Sequence, residues 1–160
     1  MEAIVAVYED WGIGRGGTQP VVLRADRRHF REITAGAAVI VGRKTLEDFP
    51  GGKPLKERLN IVMTRQEADI PGARVVHSTE EALAAAREAG RCIVIGGASV
   101  YEQFFPWLDK IHITKIGCRP ESMRFFPDLD AMEDWVCAEE SAVMEEDGIP
   151  FRFCTYLRRG

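Results

Sequence analysis

Several things are missing from this chain, and each absence removes a class of function. No apolar run approaches the roughly 20 residues that a bilayer-spanning helix needs. The opening MEAIVAVYED has an acidic second residue and no positive stretch, unlike a secretory signal, so a cytoplasmic location is expected. Basic charge is not in excess: 21 Lys and Arg against 25 Asp and Glu leave a net charge of −4. Nucleic-acid binding therefore has no electrostatic footprint, and neither a nucleic acid nor a membrane is expected as a partner. The four cysteines, Cys92, Cys118, Cys137 and Cys154, are widely spaced, with no CxxC and no Cys/His metal spacing. They read as reduced packing residues, and no metal is expected. Internal repeats, linkers and low-complexity segments are also absent.

What is there suits one globular domain over residues 1–160. The chain is 46% hydrophobic and 29% charged, long enough to build a core without covalent staples. Ala3–Tyr8, Ala38–Val41, Arg58–Thr64, Arg74–Val76 and Cys92–Ile95 read as strands of buried character. Helices are expected over Arg24–Thr34, from Gly42–Thr45 to a stop at Phe49–Pro54, from the capping box Ser78–Glu81 to Ala89, and over Ala98–Phe105 before Pro106. Lys110–Ile116 alternates as a strand. Val136–Met144 and Phe151–Arg158 read as a C-terminal antiparallel hairpin across Asp147-Gly148, with a loop longer than two residues. Strands alternating with helices through two thirds of the chain predict an α/β fold. It would have a mostly parallel central sheet, helices on both faces and an antiparallel C-terminal edge.

The chemistry gathers where strands end. Cys92–Ile95 runs into Gly96-Gly97 at a helix start, bringing bare backbone and unpaired amides to one point, which suits a phosphate. Taken alone, such a pair is more often plain loop geometry. Gly42-Arg43-Lys44-Thr45 is the better phosphate constellation, because two cations at a helix start are misplaced unless an anion compensates them. Thr64-Arg65 adds a hydroxyl and a guanidinium at a third strand end. Three such spots on one rim point to a dinucleotide carrying an extra phosphate.

Leu23, Asp26, Phe30 and Ile33 share one helix face, apolar except for the carboxylate. Asp26 either complements the helix dipole or aims into a pocket for a cationic or amidine-like ligand edge. Thr114 would sit inside its strand as a buried polar partner for it. Glu9–Leu23, with glycines at 12, 14, 16 and 17 and Pro20, reads as a long loop, equally a lid or a mobile surface connection.

Assembled, these pieces resemble dihydrofolate reductase of the bacterial chromosomal kind. The matching residues are Gly12-Ile13-Gly14, Pro20, Leu23, Asp26, Phe30, Val41–Thr45, Phe49, Pro54-Leu55 and Arg58. They continue through Asn60, Thr64-Arg65, Ile95–Gly97, Val100-Tyr101, Thr114 and Phe126-Pro127, in order over nearly the whole chain. The resemblance implies a sheet of about eight strands and NADPH-dependent reduction of 7,8-dihydrofolate. It also implies a monomer that binds dihydrofolate and antifolate inhibitors.

It further assigns Asp26, supported by Thr114, to the pteridine as the catalytic pair. Ile4, Val5, Arg27, Phe30, Phe49, Leu55 and Ile95 are implied around the substrate, with Arg58 on its glutamate carboxylate. Arg43, Thr64 and Arg65 are implied for the 2′-phosphate, and Lys44, Thr45 and the Gly96-Gly97 turn for the pyrophosphate. Ala6, Ile13, Gly42, Ala98, Ser99, Val100 and Tyr101 complete the implied cofactor set. In this light Glu9–Leu23 reads as a lid.

The chain departs from the family pattern in three places. Val21 stands where a tryptophan is usual, and Arg27 where a leucine is usual. Ser122-Met123-Arg124 replaces Gly-Asp-Thr, which predicts that the lid loses its loop partner. The first two changes predict weakened binding of diaminopyrimidine antifolates. Two rivals stay open at this point. One is a reductase of the same fold acting on a riboflavin-pathway pyrimidine; the other is a non-catalytic nucleotide-binding module.

Overall fold

The apolar, β-branched runs become strands β1 (Glu2–Val7), β2 (Ala38–Gly42), β3 (Asn60–Met63), β4 (Ala73–Val76), β5 (Cys92–Gly96) and β6 (Lys110–Ile116). In the computed structural model, which describes residues 1–15 and 19–160, these six pair in parallel in the order β4-β3-β2-β5-β1-β6. Gly16 and Gly17 of the expected loop lie outside the described residues. The antiparallel edge is built on β9 (Ile149–Arg158), which pairs with β6 from Lys110↔Leu157 to Ile116↔Phe151. Strands β7 (Trp135–Glu140) and β8 (Met144–Glu146) both pair with β9, giving nine strands among the described residues.

Helices α1 (Arg24–Thr34), α2 (Arg43–Glu47), α3 (Thr79–Ala89) and α4 (Ala98–Phe104) cover both faces. Strand alternation decides which side chain meets which helix. Ala3, Val5 and Val7 of β1 face Ala82, Ala85, Tyr101 and Phe104 of α3 and α4. Ile4 faces the other way, into a cluster with Val39, Val41, Ile93 and Ile95 that Phe30 and Ile33 of α1 cover.

The C-terminal region differs from the sequence expectation in two ways. Val136–Met144 is not one strand but β7 and β8, interrupted at 141–143 and bulged between Cys137 and Glu139. Ser141 explains why the break is tolerated. Its amide still donates to the Phe153 carbonyl (2.8 Å), while its hydroxyl accepts from the Phe153 amide (2.9 Å) in place of a backbone carbonyl. The turn is also tighter than expected. Glu146 pairs with Ile149, so Asp147-Gly148 alone connects the strands, with φ of 50° and 79°. Two successive positive φ values suit the twist of a two-residue hairpin, and an Asp-Gly pair supplies them cheaply. Smaller shifts occur elsewhere: β3 starts at Asn60 rather than Arg58, and α4 ends at Phe104, where Phe105–Trp107 forms a 3-10 turn containing Pro106.

Candidate active site

Asp26 sits in the first turn of α1, on the stripe that faces the sheet. Its carboxylate accepts a 2.6 Å hydrogen bond from the Thr114 hydroxyl on β6. Burial pushes the Asp26 carboxyl up from its ordinary value, and the Thr114 bond opposes this only in part. No cation pairs with Asp26 among the described residues. A half-buried carboxylate without a cationic partner is costly in a folded chain. It is well suited to a ligand edge that offers two N–H donors.

Around it the structure brings together most of the apolar residues expected of a substrate site. Ile4 and Ile95 are buried in one cluster, and Phe30, Phe49 and Leu55 pack against it while keeping part of their surface exposed. Val5 is a correction. Its side chain belongs to the opposite core with Tyr101 and Phe104, because neighbours in a strand point to opposite faces, so only its backbone faces this site. Arg27 is exposed on α1 beside Asp26.

At the far end of α1, Arg58 is held by three hydrogen bonds. Nε donates to Thr34 Oγ1 (3.0 Å), one terminal nitrogen to the Lys56 carbonyl (2.7 Å) and the other to the Arg31 carbonyl (3.3 Å). Beneath it Asn60, fully buried, closes the 55–60 loop by accepting from the Leu55 amide (2.9 Å) and donating to the Leu55 and Arg58 carbonyls (2.8 and 2.9 Å). Thr34 and Asn60 were missed as site-shaping residues. A buried Asn at a strand start was a legible signal, since such a residue must spend its amide on backbone.

The three phosphate-competent spots lie side by side, because β3, β2 and β5 are neighbours and all end on this rim. A Cβ on Gly97 would stand 2.8 Å from Thr45 Oγ1, and one on Gly42 3.1 Å from Val100. The glycines therefore permit a close approach of the two turns that no side chain would allow. The peptide between Gly96 and Gly97 is cis. Val100 and Tyr101 are buried behind this turn, and the Tyr101 hydroxyl donates to the Ile4 carbonyl at 2.7 Å. They support the rim and do not line it with exposed side chain. Ala98 and Ser99 open α4, Ala6 is buried beside Tyr8 and Leu23, and Ile13 packs against the core on the α4 side.

Among the rim cations, Arg43 hydrogen-bonds Gln66 (2.8 Å) and lies 3.6 Å from Glu47, which partly offsets its position at a helix start. Lys44 and Arg65 are exposed and make no salt bridge among the described residues. The Thr64 hydroxyl accepts from the Gln66 amide at 3.2 Å.

The expected loss of the loop partner is corrected. Segment 12–15 is fastened to 121–125 even though Gly-Asp-Thr is replaced. Ile13 N donates to the Arg124 carbonyl (2.9 Å), Met123 N and Arg124 N both donate to the Gly14 carbonyl (3.1 Å), and Gly12 bridges Phe125. The Gly14 amide donates to Ser122 Oγ (3.2 Å), and Arg15 pairs with Glu121 (2.8 Å). Most of these bonds are backbone to backbone, so changing the side chains leaves them in place. The loop's far end is held by Tyr8, whose hydroxyl accepts from the Val21 amide at 3.1 Å.

A separate cavity of about 320 Å³ lies near the ends of β1 and β6, lined by Trp11, Lys115, Asp130 and Phe151 among others. It does not include Asp26 or either glycine turn. Lys115 there is already bound to Asp130 at 2.8 Å, and Arg152 pairs with Glu140.

Similarity to known proteins points to one family. The family model described as dihydrofolate reductase matches residues 1–158. The chain is 35% identical over 150 residues to the dihydrofolate reductase of Bacillus subtilis (strain 168), covering 92% of this chain and 88% of the relative. It is 38% identical over 157 residues to that of Neisseria gonorrhoeae, covering 96% and 95%. Among solved structures it is similar to dihydrofolate reductase from Enterococcus faecalis complexed with NADP(H) and RAB-propyl. That match has a TM-score of 0.89 at 31% identity and covers 99% of this chain and 96% of the other.

Proposed function

The chain belongs to the dihydrofolate reductase family, and we propose a division of labour among its residues for the family's reaction, the NADPH-dependent reduction of 7,8-dihydrofolate to 5,6,7,8-tetrahydrofolate. The observation that carries this reading is the unpaired Asp26 carboxylate, fixed by Thr114 and set between an apolar wall and a glycine-edged rim.

The residues present fit the cofactor. Gly42 and Gly97 let the two turns close on each other with no side chain between them, and cations stand at the neighbouring strand ends. Arg43, Thr64 and Arg65 would take the 2′-phosphate, and Lys44, Thr45 and the Gly96-Gly97 turn with Ala98 and Ser99 the pyrophosphate. Ala6 and Ile13 are assigned to the same cofactor, with Val100 and Tyr101 fixing the turn from behind. Bound NADPH supplies the hydride that C6 of the pterin accepts.

Asp26 then accepts hydrogen bonds from the pterin's ring amide and 2-amino group. The proton for N5 comes from water. Asp26 assists electrostatically, since negative charge at the ring edge favours a protonated N5. Ile4, Phe30, Phe49, Leu55 and Ile95 wall the pterin and aminobenzoyl rings, and Arg58 takes the glutamate carboxylate with a guanidinium already oriented. Arg27, exposed beside Asp26, flanks the mouth of the site and adds positive charge along the path of the glutamyl tail. All of these groups come from one chain, so the proposed site is complete within a single protomer. No described helix is long and apolar enough to cross a membrane.

Asp26→Asn tests the assignment. Dihydrofolate reduction at neutral pH is expected to be nearly abolished while NADPH affinity, read by fluorescence titration, stays about the same. An equal loss of NADPH binding, or normal turnover, would return Asp26 to a purely structural role.

A further inference from the structure

The helix that carries Asp26 has no cap of its own. Leu23 stands at the cap position, and its side chain has no atom that can accept from the first amides of α1. Those amides are nevertheless satisfied. Arg24 N donates to Glu146 Oε2 at 2.7 Å and Ala25 N to Glu146 Oε1 at 3.0 Å. One carboxylate, from a residue more than 120 positions further along the chain, thus binds two adjacent amides, the second belonging to Asp26's immediate neighbour.

The surroundings make this carboxylate more than an exposed cap. Arg24, Arg27 and Arg28 crowd the start of α1, where positive charge opposes the helix dipole; Asp26 is the acidic residue of that turn, and Glu146 adds a second carboxylate facing Arg24 and Arg28. The Glu146 side chain is largely covered, and the Arg24 guanidinium lies 3.8 Å away. Its backbone is set by the two-residue Asp147-Gly148 turn and by pairing with Ile149 on β9. Further along, β9 pairs Phe153 with Thr114, the residue that binds the Asp26 carboxylate. Both restraints on the first turn of α1, one on its backbone and one on its carboxylate, therefore come from strands, β8 and β6, that pair with the same strand β9.

We infer that Glu146 is a positioning residue for substrate binding: from the β8–β9 hairpin it fixes the start of α1 and so the direction in which Asp26 meets the pterin. The inference rests on the role proposed for Asp26. The hydrogen bonds from Arg24 and Ala25 hold the Glu146 carboxyl below its ordinary value, so it is ionised throughout the working range.

Asp26 is faced by Tyr8 before the loop, by Tyr101 of α4 and by Thr114 of β6, all neutral at working pH. Glu146 is faced by Arg24 and Arg28. Asp26 is raised by burial and opposed only by Thr114, so a first turn freed from Glu146 and opened to water is expected to move the Asp26 carboxyl back down toward its ordinary value.

The test compares full-length Glu146→Ala and Glu146→Gln with the native protein. In Glu146→Ala, hydrogen exchange at the Arg24 and Ala25 amides is expected to quicken by about tenfold, the effect of losing a helix cap. KM for dihydrofolate is expected to rise by a similar factor of about ten, with KM for NADPH within about twofold, and the pH of half-maximal kcat/KM to move down. Glu146→Gln, which keeps one acceptor, should fall between native and alanine on each readout. A lower melting temperature with unchanged KM and unchanged pH midpoint in both variants would overturn the inference and leave Glu146 a structural cap. Asp26→Asn run alongside separates the two claims: retained turnover there would overturn the reading of the site itself, whatever Glu146 does.

Discussion

Asp26 has a cost that its chemistry explains. Burial raises its carboxyl above the ordinary range, with only the Thr114 bond opposing it, so the folded chain holds that proton to higher pH than the unfolded chain. A carboxyl shifted in this direction contributes its full stability below the unfolded value and loses it as pH rises through the folded value. Asparagine keeps an acceptor for Thr114 and has no charge to bury. Asp26→Asn is therefore expected to match or exceed the native melting temperature at about pH 8 and to converge with it near pH 3. Melting curves across that range check this, and an Asn variant less stable at both ends would contradict it.

The role proposed for Arg58 is one of geometry, because three hydrogen bonds already orient its fork. Arg58→Lys keeps the charge and loses the fork. KM for dihydrofolate is expected to rise by about one order of magnitude with kcat little changed, in line with a charge-assisted bond worth about 1.5–3 kcal/mol. Steady-state kinetics that show kcat falling instead would place Arg58 elsewhere in the reaction.

Asp26 was legible in the sequence because a lone carboxylate on an apolar helical stripe is an anomaly in a pattern that sequence displays directly. Glu146 was not legible. Its partners are backbone amides more than 120 residues away, and amides leave no mark on side-chain chemistry.

The same divide holds for the elements. Buried parallel strands were readable because their apolar runs are continuous, and their glycine ends because those residues change the local backbone. The break between β7 and β8 was hidden, since it depends on Ser141 taking the place of a backbone acceptor for β9. Segment 12–15 was misread for a related reason. Its fastening to 121–125 is mostly main chain, and a change from Gly-Asp-Thr to Ser122-Met123-Arg124 says nothing about main-chain bonds. What that segment cannot tolerate is bulk. A Cβ on Gly12 would come within 2.3 Å of Ser122 Oγ and 2.8 Å of Asp10 Oδ1, below any real contact distance. Gly12→Ala is expected to push the two segments apart, speeding NADPH release and lowering kcat/KM by about tenfold. Adding Ser122→Gly should recover part of that loss. Stopped-flow release rates unchanged in the single variant would show that this contact does not govern cofactor release.

At the scale of the molecule, one sheet delivers both halves of the proposed site. Neighbouring strands β3, β2 and β5 bring the turns proposed for the cofactor to one rim. Strand β6 and helix α1 bring Thr114 and Asp26 against the same apolar wall. The direct test of this account is NADPH oxidation by the native protein, followed with and without dihydrofolate and repeated with NADH. Oxidation that requires dihydrofolate is expected, together with a kcat/KM for NADPH at least about tenfold above that for NADH, the effect of a charge-assisted pair to the extra phosphate. NADPH binding without dihydrofolate-dependent oxidation, or equal use of the two cofactors, would contradict it.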